Sequence, residues 1–308
     1  MSDEKMLRNT MGAELMALMD DPAVIEFWLN PDGKIFSETL GVGKRLTGIK
    51  LTQAEAMNII VTIAGTDGKI VNEKEPIVDA TIRYNGGRFA ASIPPVSAPS
   101  FNIRKPASRV YTMDELVEQG NLDKDAAEII KQGVKDKKNF LVAGSTGSGK
   151  TTFCNALLQL ISEQNDRIIM MEDIPELQCP AEDTLKLSST LTVSVQKLVK
   201  ATLRRRGDRP IIGELRGAEA YDLLKLWNTG HPGGFATLHA DSASDALSRL
   251  EDLALEAVDH IKPRMIVRSV HYIVFMQKEG GKRKVTSLVQ VVGHDGTDYV
   301  TNELINPH

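Results

Sequence analysis

Gly144-Ser-Thr-Gly-Ser-Gly-Lys150-Thr151 stands between the apolar run Phe140-Leu-Val-Ala143 and the segment Phe153-Cys-Asn-Ala-Leu-Leu-Gln-Leu160. A buried-type strand, a glycine loop and an apolar helix in that order read as a phosphate-binding loop. Glycines at 144, 147 and 149 let backbone N–H groups converge on an anion, and the positive end of the following helix points at the same place. Gly144, Ser145, Thr146, Gly147, Ser148, Gly149, Lys150, Thr151 and Thr152 are therefore the expected nucleotide-binding residues. Lys150 would reach the β- and γ-phosphates of ATP, and the Thr151 hydroxyl would take one position on Mg²⁺. A Gly/Ser linker could carry the same letters, but a linker would not lie between a strand and a helix.

Downstream, Arg167-Ile-Ile-Met-Met171 is a short apolar strand that runs into Glu172-Asp173, and Arg209-Pro-Ile-Ile-Gly213 is another that ends at Glu214-Leu-Arg216. Between them the spacing predicts a helix over 193–206, and after them a helix over 218–228 and the strand Phe235-Ala-Thr-Leu-His-Ala240. Helices at 243–257 and 262–270 and strands at 271–278, 284–292 and 299–304 complete the chain. Alternating strands and helices predict an α/β fold with a mainly parallel sheet covered on both faces.

Upstream the pattern changes. Residues 11–19 predict a short helix stopped by Asp20-Asp-Pro22. Two hairpins follow, over 25–36 with the turn Asn30-Pro-Asp-Gly33 and over 80–93 with Asn85-Gly-Gly87, and a helical stretch runs between them from Thr52 to Ala64. Prolines at 94, 95, 99 and 106 flank one further strand-like island, Phe101-Asn-Ile-Arg-Lys105, and Thr112-Met-Asp-Glu115 is a capping box. The expected organisation is a smaller α+β domain over 1–105, a linker over 106–112 and the phosphate-binding domain over 113–308.

A chain of 308 residues with 42% hydrophobic content can bury the cores of two domains. Its formal net charge of −4 gives no global reason to attract nucleic acid, so no direct nucleic-acid binding is expected. No apolar run of about 18 residues occurs, and Met-Ser-Asp-Glu-Lys at the start lacks the core of a signal peptide, so the expected location is cytoplasmic. Cys154 and Cys179 form no metal-ligand pattern and are expected to be reduced and structural.

In open α/β sheets ligands bind beyond the carboxyl ends of strands, where this sequence puts Glu172-Asp173, Glu214 and His239. ATP hydrolysis needs an acid near Mg²⁺ and a group that orients the attacking water. Glu214 is the natural candidate for the water, with Glu172 as the alternative, and Thr151, Glu172 and Glu214 are the candidate metal ligands. The plainer readings are that Glu214 pairs with Arg216 or Arg209, and that Glu172 and Asp173 cap a helix or form local ion pairs. His239 at a strand end could donate to a γ-phosphate and so report its presence. His231, between Gly230 and Pro232, is either a second nucleotide-side histidine or a plain loop residue.

Together these segments resemble the ATPases of type II and type IV secretion, which carry four signature boxes. The boxes here are Gly144 to Thr151, Glu172-Asp-Ile-Pro-Glu176, Arg204-Arg-Arg-Gly-Asp-Arg-Pro-Ile-Ile-Gly-Glu-Leu-Arg216, and Thr229-Gly-His-Pro-Gly-Gly-Phe-Ala-Thr-Leu-His-Ala-Asp241. Asp21-Pro-Ala-Val-Ile-Glu-Phe-Trp-Leu-Asn-Pro-Asp-Gly33 and Ile93-Pro-Pro95 also look like the family's N-terminal domain, and Leu226-Trp-Asn-Thr-Gly-His-Pro-Gly-Gly234 is most similar to the conjugal-transfer, Trb-type branch. Members with a four-cysteine zinc module differ, since two cysteines cannot build one. Two departures stand out: Gly207 replaces a usual proline, and Gly234-Phe235 replaces a small hydroxyl before Thr237. Neither touches an expected phosphate contact.

The resemblance implies a RecA-like P-loop ATPase domain, a homohexamer using ATP and Mg²⁺, and ATP bound between the domains. It also implies peripheral association with the cytoplasmic face of the inner membrane and partners among the inner-membrane components of a conjugative type IV secretion system. By position it adds Arg88 and Arg104 as arginines that approach the phosphates, from the same or a neighbouring subunit; their plainer reading is surface arginines at strand ends. Two rivals remain, a nucleotide-gated docking switch with low turnover and a DNA-translocating motor, the latter disfavoured by the acidic charge balance.

Overall fold

The computed structural model describes residues 3–107, 109–190, 192–279 and 282–305. The chain forms two compact units, Met1–Arg109 and Val110–His308.

The first unit contains α1 (Asp3–Asp20), β1 (Val24–Leu29), β2 (Lys34–Thr39), β3 (Gly43–Lys50), α2 (Gln53–Thr66), β4 (Ile77–Ile82), β5 (Gly87–Ser92) and β6 (Ser100–Arg104). Its sheet has the order β3-β2-β1-β6-β5-β4, with every neighbouring pair antiparallel. Strand alternation sends Phe27, Leu29, Phe89, Phe101 and Ile103 to one face, where they pack with Leu15, Met19, Ile59 and Ile63 of the two helices. The other face carries Glu26, Trp28, Arg88, Asn102 and Arg104. Helix α1 begins earlier than its spacing predicts because Leu7 and Met11 join the same core, and it is interrupted at Gly12, whose φ is 73°. Thr52 and Glu55 form a reciprocal cap that starts α2. The sequence pattern does not predict β3: it is an edge strand with neither face buried, so it lacks the apolar alternation that marks a strand.

The second unit contains α3 (Met113–Glu118), α4 (Lys124–Lys135), β7 (Phe140–Gly144), α5 (Lys150–Ser162), β8 (Ile168–Glu172), β9 (Thr184–Ser188), α6 (Val195–Thr202), β10 (Arg209–Ile212), α7 (Glu219–Asn228), β11 (Phe235–Leu238), α8 (Ala243–Leu255), α9 (Pro263–Ser269), β12 (Tyr272–Glu279), β13 (Lys282–His294) and β14 (Tyr299–Ile305). The sheet order is β14-β13-β12-β7-β11-β10-β8-β9, parallel from β12 to β9, with β13 and β14 as an antiparallel extension. The expected α/β class with a mainly parallel sheet is what the chain adopts.

β7 shows why the central strands read as unbroken apolar runs. Leu141 and Ala143 enter a core with Ile212, Leu223 and Leu247, while Phe140 and Val142 enter another with Ile130, Phe153 and Leu157. Both faces are dry, so both alternating sets must be apolar. Helix α6 ends at Thr202, four residues short of its expected end, because the chain turns at Leu203–Arg206 to feed β10 and Arg206 takes a left-handed φ of 50°. Gly207 then passes so close to β8 that an added Cβ would lie 2.5 Å from the Ile169 side chain.

Candidate active site

The glycine loop leaves the C-terminal end of β7 and enters α5. Gly144 has φ 149°, and a Cβ there would meet the Met276 carbonyl oxygen at 2.2 Å, so only glycine lets the loop turn against β12. The residue that caps α5, Gly149, has no side chain to satisfy the first N–H groups of the helix. Ser148 is 1% exposed, and its buried hydroxyl has no hydrogen-bond partner among the described residues. Uncapped helix donors and an orphaned hydroxyl beside a lysine form a cradle suited to an anion. Ser145, Thr146 and Gly147 form its exposed tip, and Thr152 is half-buried in the first turn of the helix. Lys150 Nζ donates to the loop's own carbonyls, Gly144 O at 2.6 Å and Ser145 O at 3.0 Å, and lies 3.4 Å from His239 Nδ1.

His239 directly follows β11, next to β7, and Glu214 lies beyond β10 on the other side of β11. His239 Nε2 and Glu214 Oε1 are 2.7 Å apart, and Arg216 Nη2 donates to Glu214 Oε2 at 2.7 Å. Arg216 Nη1 also reaches Asp173 Oδ2 at 3.2 Å, and Ser189 Oγ donates to Asp173 Oδ1. Burial would raise the Glu214 pKa. The Arg216 hydrogen bond and the charges of Arg216, His239 and Lys150 outweigh it, so the carboxyl sits below its usual range and is ionised at neutral pH.

Glu172 behaves differently. It is 5% exposed, and its Oε1 accepts the backbone N–H groups of Glu176 at 2.8 Å and Leu177 at 2.9 Å. Burial pushes its pKa up to about 7 even though those two bonds favour the charged form. Gly213 makes room for it, since a Cβ at that position would lie 2.9 Å from Glu172 Cγ. The carboxylate thus folds Asp173–Leu177 back on itself, and the fold brings Glu176 to the glycine loop: Thr151 Oγ1 donates to Glu176 Oε2 at 3.2 Å. Of the two acids, Glu172 uses its Oε1 to hold backbone, and Glu176 is the one at the Thr151 hydroxyl. The sequence signal was present, an acid four residues beyond the strand end.

His231 is not brought to the loop within this chain. It precedes the opposite end of β11, and its Nδ1 lies 2.9 Å from Gly207 O. The glycines after it are there for packing: a Cβ on Gly234 would sit 1.8 Å from Pro210 O, and Asn139 Oδ1 accepts Gly233 N–H at 2.6 Å. In the first unit, Arg88 and Arg104 are cross-strand partners on β5 and β6, both half-buried, with Glu26 opposite Arg104 on β1.

Among the described residues no group of three His, Cys, Asp or Glu side chains could by itself hold a metal. A Thr151 hydroxyl beside one carboxylate, Glu176, fits Mg²⁺, which usually takes one or two carboxylates and leaves its remaining positions to phosphates and water. The donors present therefore fit Mg²⁺ bound together with a nucleotide.

The family described as Type II/IV secretion system protein matches residues 66–282, more than half of the chain. The conjugal transfer protein TrbB of Rhizobium radiobacter is 37% identical over 298 residues, covering 96% of this chain and 92% of that protein. VirB11, a type IV secretion system protein of Bartonella quintana, is 29% identical over 323 residues, covering 89% of this chain and 90% of that one. Among solved structures, the Legionella pneumophila ATPase DotB has TM-score 0.62 at 17% identity, covering 94% of this chain and 78% of that one. The ADP-bound pilus retraction motor PilT has TM-score 0.62 at 18% identity, covering 96% and 83%. At those identities the structures speak for the fold, and the sequence matches speak for kinship: the chain belongs to the type II/IV secretion system protein family, beside the TrbB and VirB11 proteins.

Proposed function

We propose that this chain is an Mg²⁺-dependent ATPase that powers a conjugative type IV secretion system. The observation that carries the reading is the chain of contacts at the mouth of the glycine loop, Lys150 to His239 at 3.4 Å and His239 to Glu214 at 2.7 Å. A structural lysine would not need an ionised acid and an imidazole at the ends of two further strands. In this account Lys150 leaves the loop carbonyls for the β- and γ-phosphates, and Glu214, kept ionised by Arg216, accepts a hydrogen bond from the attacking water and orients it. His239 passes from Glu214 to the terminal phosphate. Thr151 and Glu176 would hold Mg²⁺, which when bound would supply neutralisation of charge on the phosphate oxygens. Arg88 and Arg104 add phosphate contacts.

The likeness to the conjugal transfer protein TrbB over nearly the whole chain supports a role in conjugal transfer; the reading adds a homohexamer at the cytoplasmic face of the inner membrane, in contact with the membrane components of that machinery. No helix among the described residues is long and apolar enough to cross a membrane, so such an association would be peripheral. A second reading has one observation in its favour. Glu214 is engaged by Arg216 and His239 at the same time, and an acid so occupied suits a slow nucleotide switch.

Steady-state ATPase assays on size-fractionated protein decide between them. The motor reading expects turnover that Lys150→Ala abolishes while the fold is kept, and wild-type turnover in that variant would remove Lys150 and its loop from the chemistry. Nucleotide binding without turnover in the native protein supports the switch.

A further inference from the structure

A second concave site lies in the Val110–His308 unit, built by α7, the connection from α8 to α9, and α9. Its cavity of about 320 Å³ is lined by Tyr221 and Asn228 of α7, His260 and Lys262 of the connection, and Arg264 and Arg268 of α9. No carboxylate lines it. That is unusual for a chain with 41 acidic against 37 basic residues. Elsewhere its bases pair readily, as Lys131 does with Asp114 and Glu128, or Arg8 with Glu4 and Asp20. Among the described residues none of His260, Lys262, Arg264 and Arg268 has an ion pair. A further cation is close by, since Lys225 Nζ lies 5.5 Å from the Tyr221 ring centre. The neighbouring acids do not answer this charge. Asp222 is buried and already engaged by Gln196, Lys200 and Lys225, and Asp259 is exposed and outside the lining.

The walls are fixed. Asn228 Nδ2 donates to Leu224 O at 2.9 Å, to Met265 O at 3.1 Å and to Ser269 Oγ, which ties the end of α7 to α9. Arg264 and Arg268, four apart on α9, therefore keep their like charges together on one helix face, an arrangement that costs stability by itself. An anion in the cavity reverses the sign of that cost. Two planar guanidinium groups match phosphate oxygens in bidentate fashion, and a lysine adds a point charge. The volume lies at the small end of ligand sites, which run from about 300 to 1,000 Å³, so it admits a few phosphate groups or a headgroup.

We propose that this cavity is a binding site for a phosphate-bearing polyanion, separate from the glycine loop. The same chemistry is offered by a free oligophosphate and by a phospholipid headgroup, and the test distinguishes them. Full-length protein is first saturated with a non-hydrolysable ATP analogue and Mg²⁺, so that the glycine loop is filled. It is then titrated calorimetrically with tripolyphosphate and, separately, floated with vesicles of phosphatidylcholine containing phosphatidylglycerol.

Saturable binding of tripolyphosphate indicates a soluble ligand, and flotation on the anionic vesicles alone indicates a lipid. In either case the Arg264→Gln/Arg268→Gln double variant should bind about a hundredfold more weakly, roughly tenfold for each guanidinium removed from the phosphate oxygens. Its melting temperature should not fall, since the like-charge pair is relieved, and its basal ATPase rate should not change, as both side chains are exposed. An Arg204→Gln/Arg205→Gln variant, which removes two exposed arginines that do not line this cavity, should bind as the native protein does. The proposal is overturned if the native protein binds neither probe, if the α9 variant binds as tightly as native, or if the Arg204/Arg205 variant is weakened as much.

Discussion

Glu172 and Glu214 are alike on paper, each closing an apolar strand of the same sheet, yet the molecule gives them opposite environments. Glu172, at the end of β8, is buried against Gly213, holds two backbone N–H groups, and has its pKa pushed up to about 7 by burial. Glu214, beyond β10, touches a guanidinium and an imidazole, and those charges hold its pKa below the usual range. A strand-end carboxylate is therefore not assigned by its position. What it touches decides whether it shapes a loop or faces the chemistry.

The largest effect expected from this contrast is on turnover. Glu214→Gln keeps shape but cannot hold the attacking water as an ionised acid, and should lower kcat by about 10² to 10⁴, the usual contribution of a positioned acid or base, with ATP binding retained. Equilibrium binding of a fluorescent ATP analogue beside steady-state rates checks both halves. Next comes Glu176→Gln, which removes the carboxylate at the Thr151 hydroxyl. It should raise the Mg²⁺ concentration needed for half-maximal rate by about tenfold or more. An unchanged Mg²⁺ requirement would return the metal to Glu172.

Arg88→Lys and Arg104→Lys should each slow turnover by about tenfold, because a lysine cannot reproduce the bidentate fork, while the gel-filtration profile stays that of the native protein. A double lysine variant at the native rate would leave these arginines with a purely structural place.

The smallest effect is on stability. An acid whose folded pKa lies above its unfolded one binds more protons when folded, so its contribution is complete below about pH 4.5 and is lost as pH rises through about 7. Native stability should thus carry a falling component of up to about 3 kcal/mol across that window, and Glu172→Gln should remove it. Melting temperatures of the two proteins from pH 5 to about pH 8 give the comparison, and identical slopes would show that Glu172 does not titrate as described.

Much of the fold is legible in the sequence because local chemistry fixes it. The glycine loop announces itself by backbone freedom at 144, 147 and 149, and the parallel strands by apolar runs that only a doubly covered sheet requires. β3 and β9 are not legible, since edge strands bury little and so leave a weak pattern. The roles of Glu172 and Glu176 are not separable by pattern either. Both are glutamates of one acidic segment, and the choice between them rests on which way the chain folds after β8. His231 draws attention as a histidine among glycines, but those glycines answer to Pro210 and Asn139.

The central claim is that Glu214 and not Glu172 faces the reacting water. Single-turnover hydrolysis of radiolabelled ATP by Glu214→Gln and Glu172→Gln, measured side by side at neutral pH, tests it most directly. The account predicts that Glu214→Gln holds ATP uncleaved while Glu172→Gln cleaves it within about tenfold of the native rate. If Glu172→Gln holds ATP uncleaved and Glu214→Gln cleaves it, the assignment of the two acids is wrong.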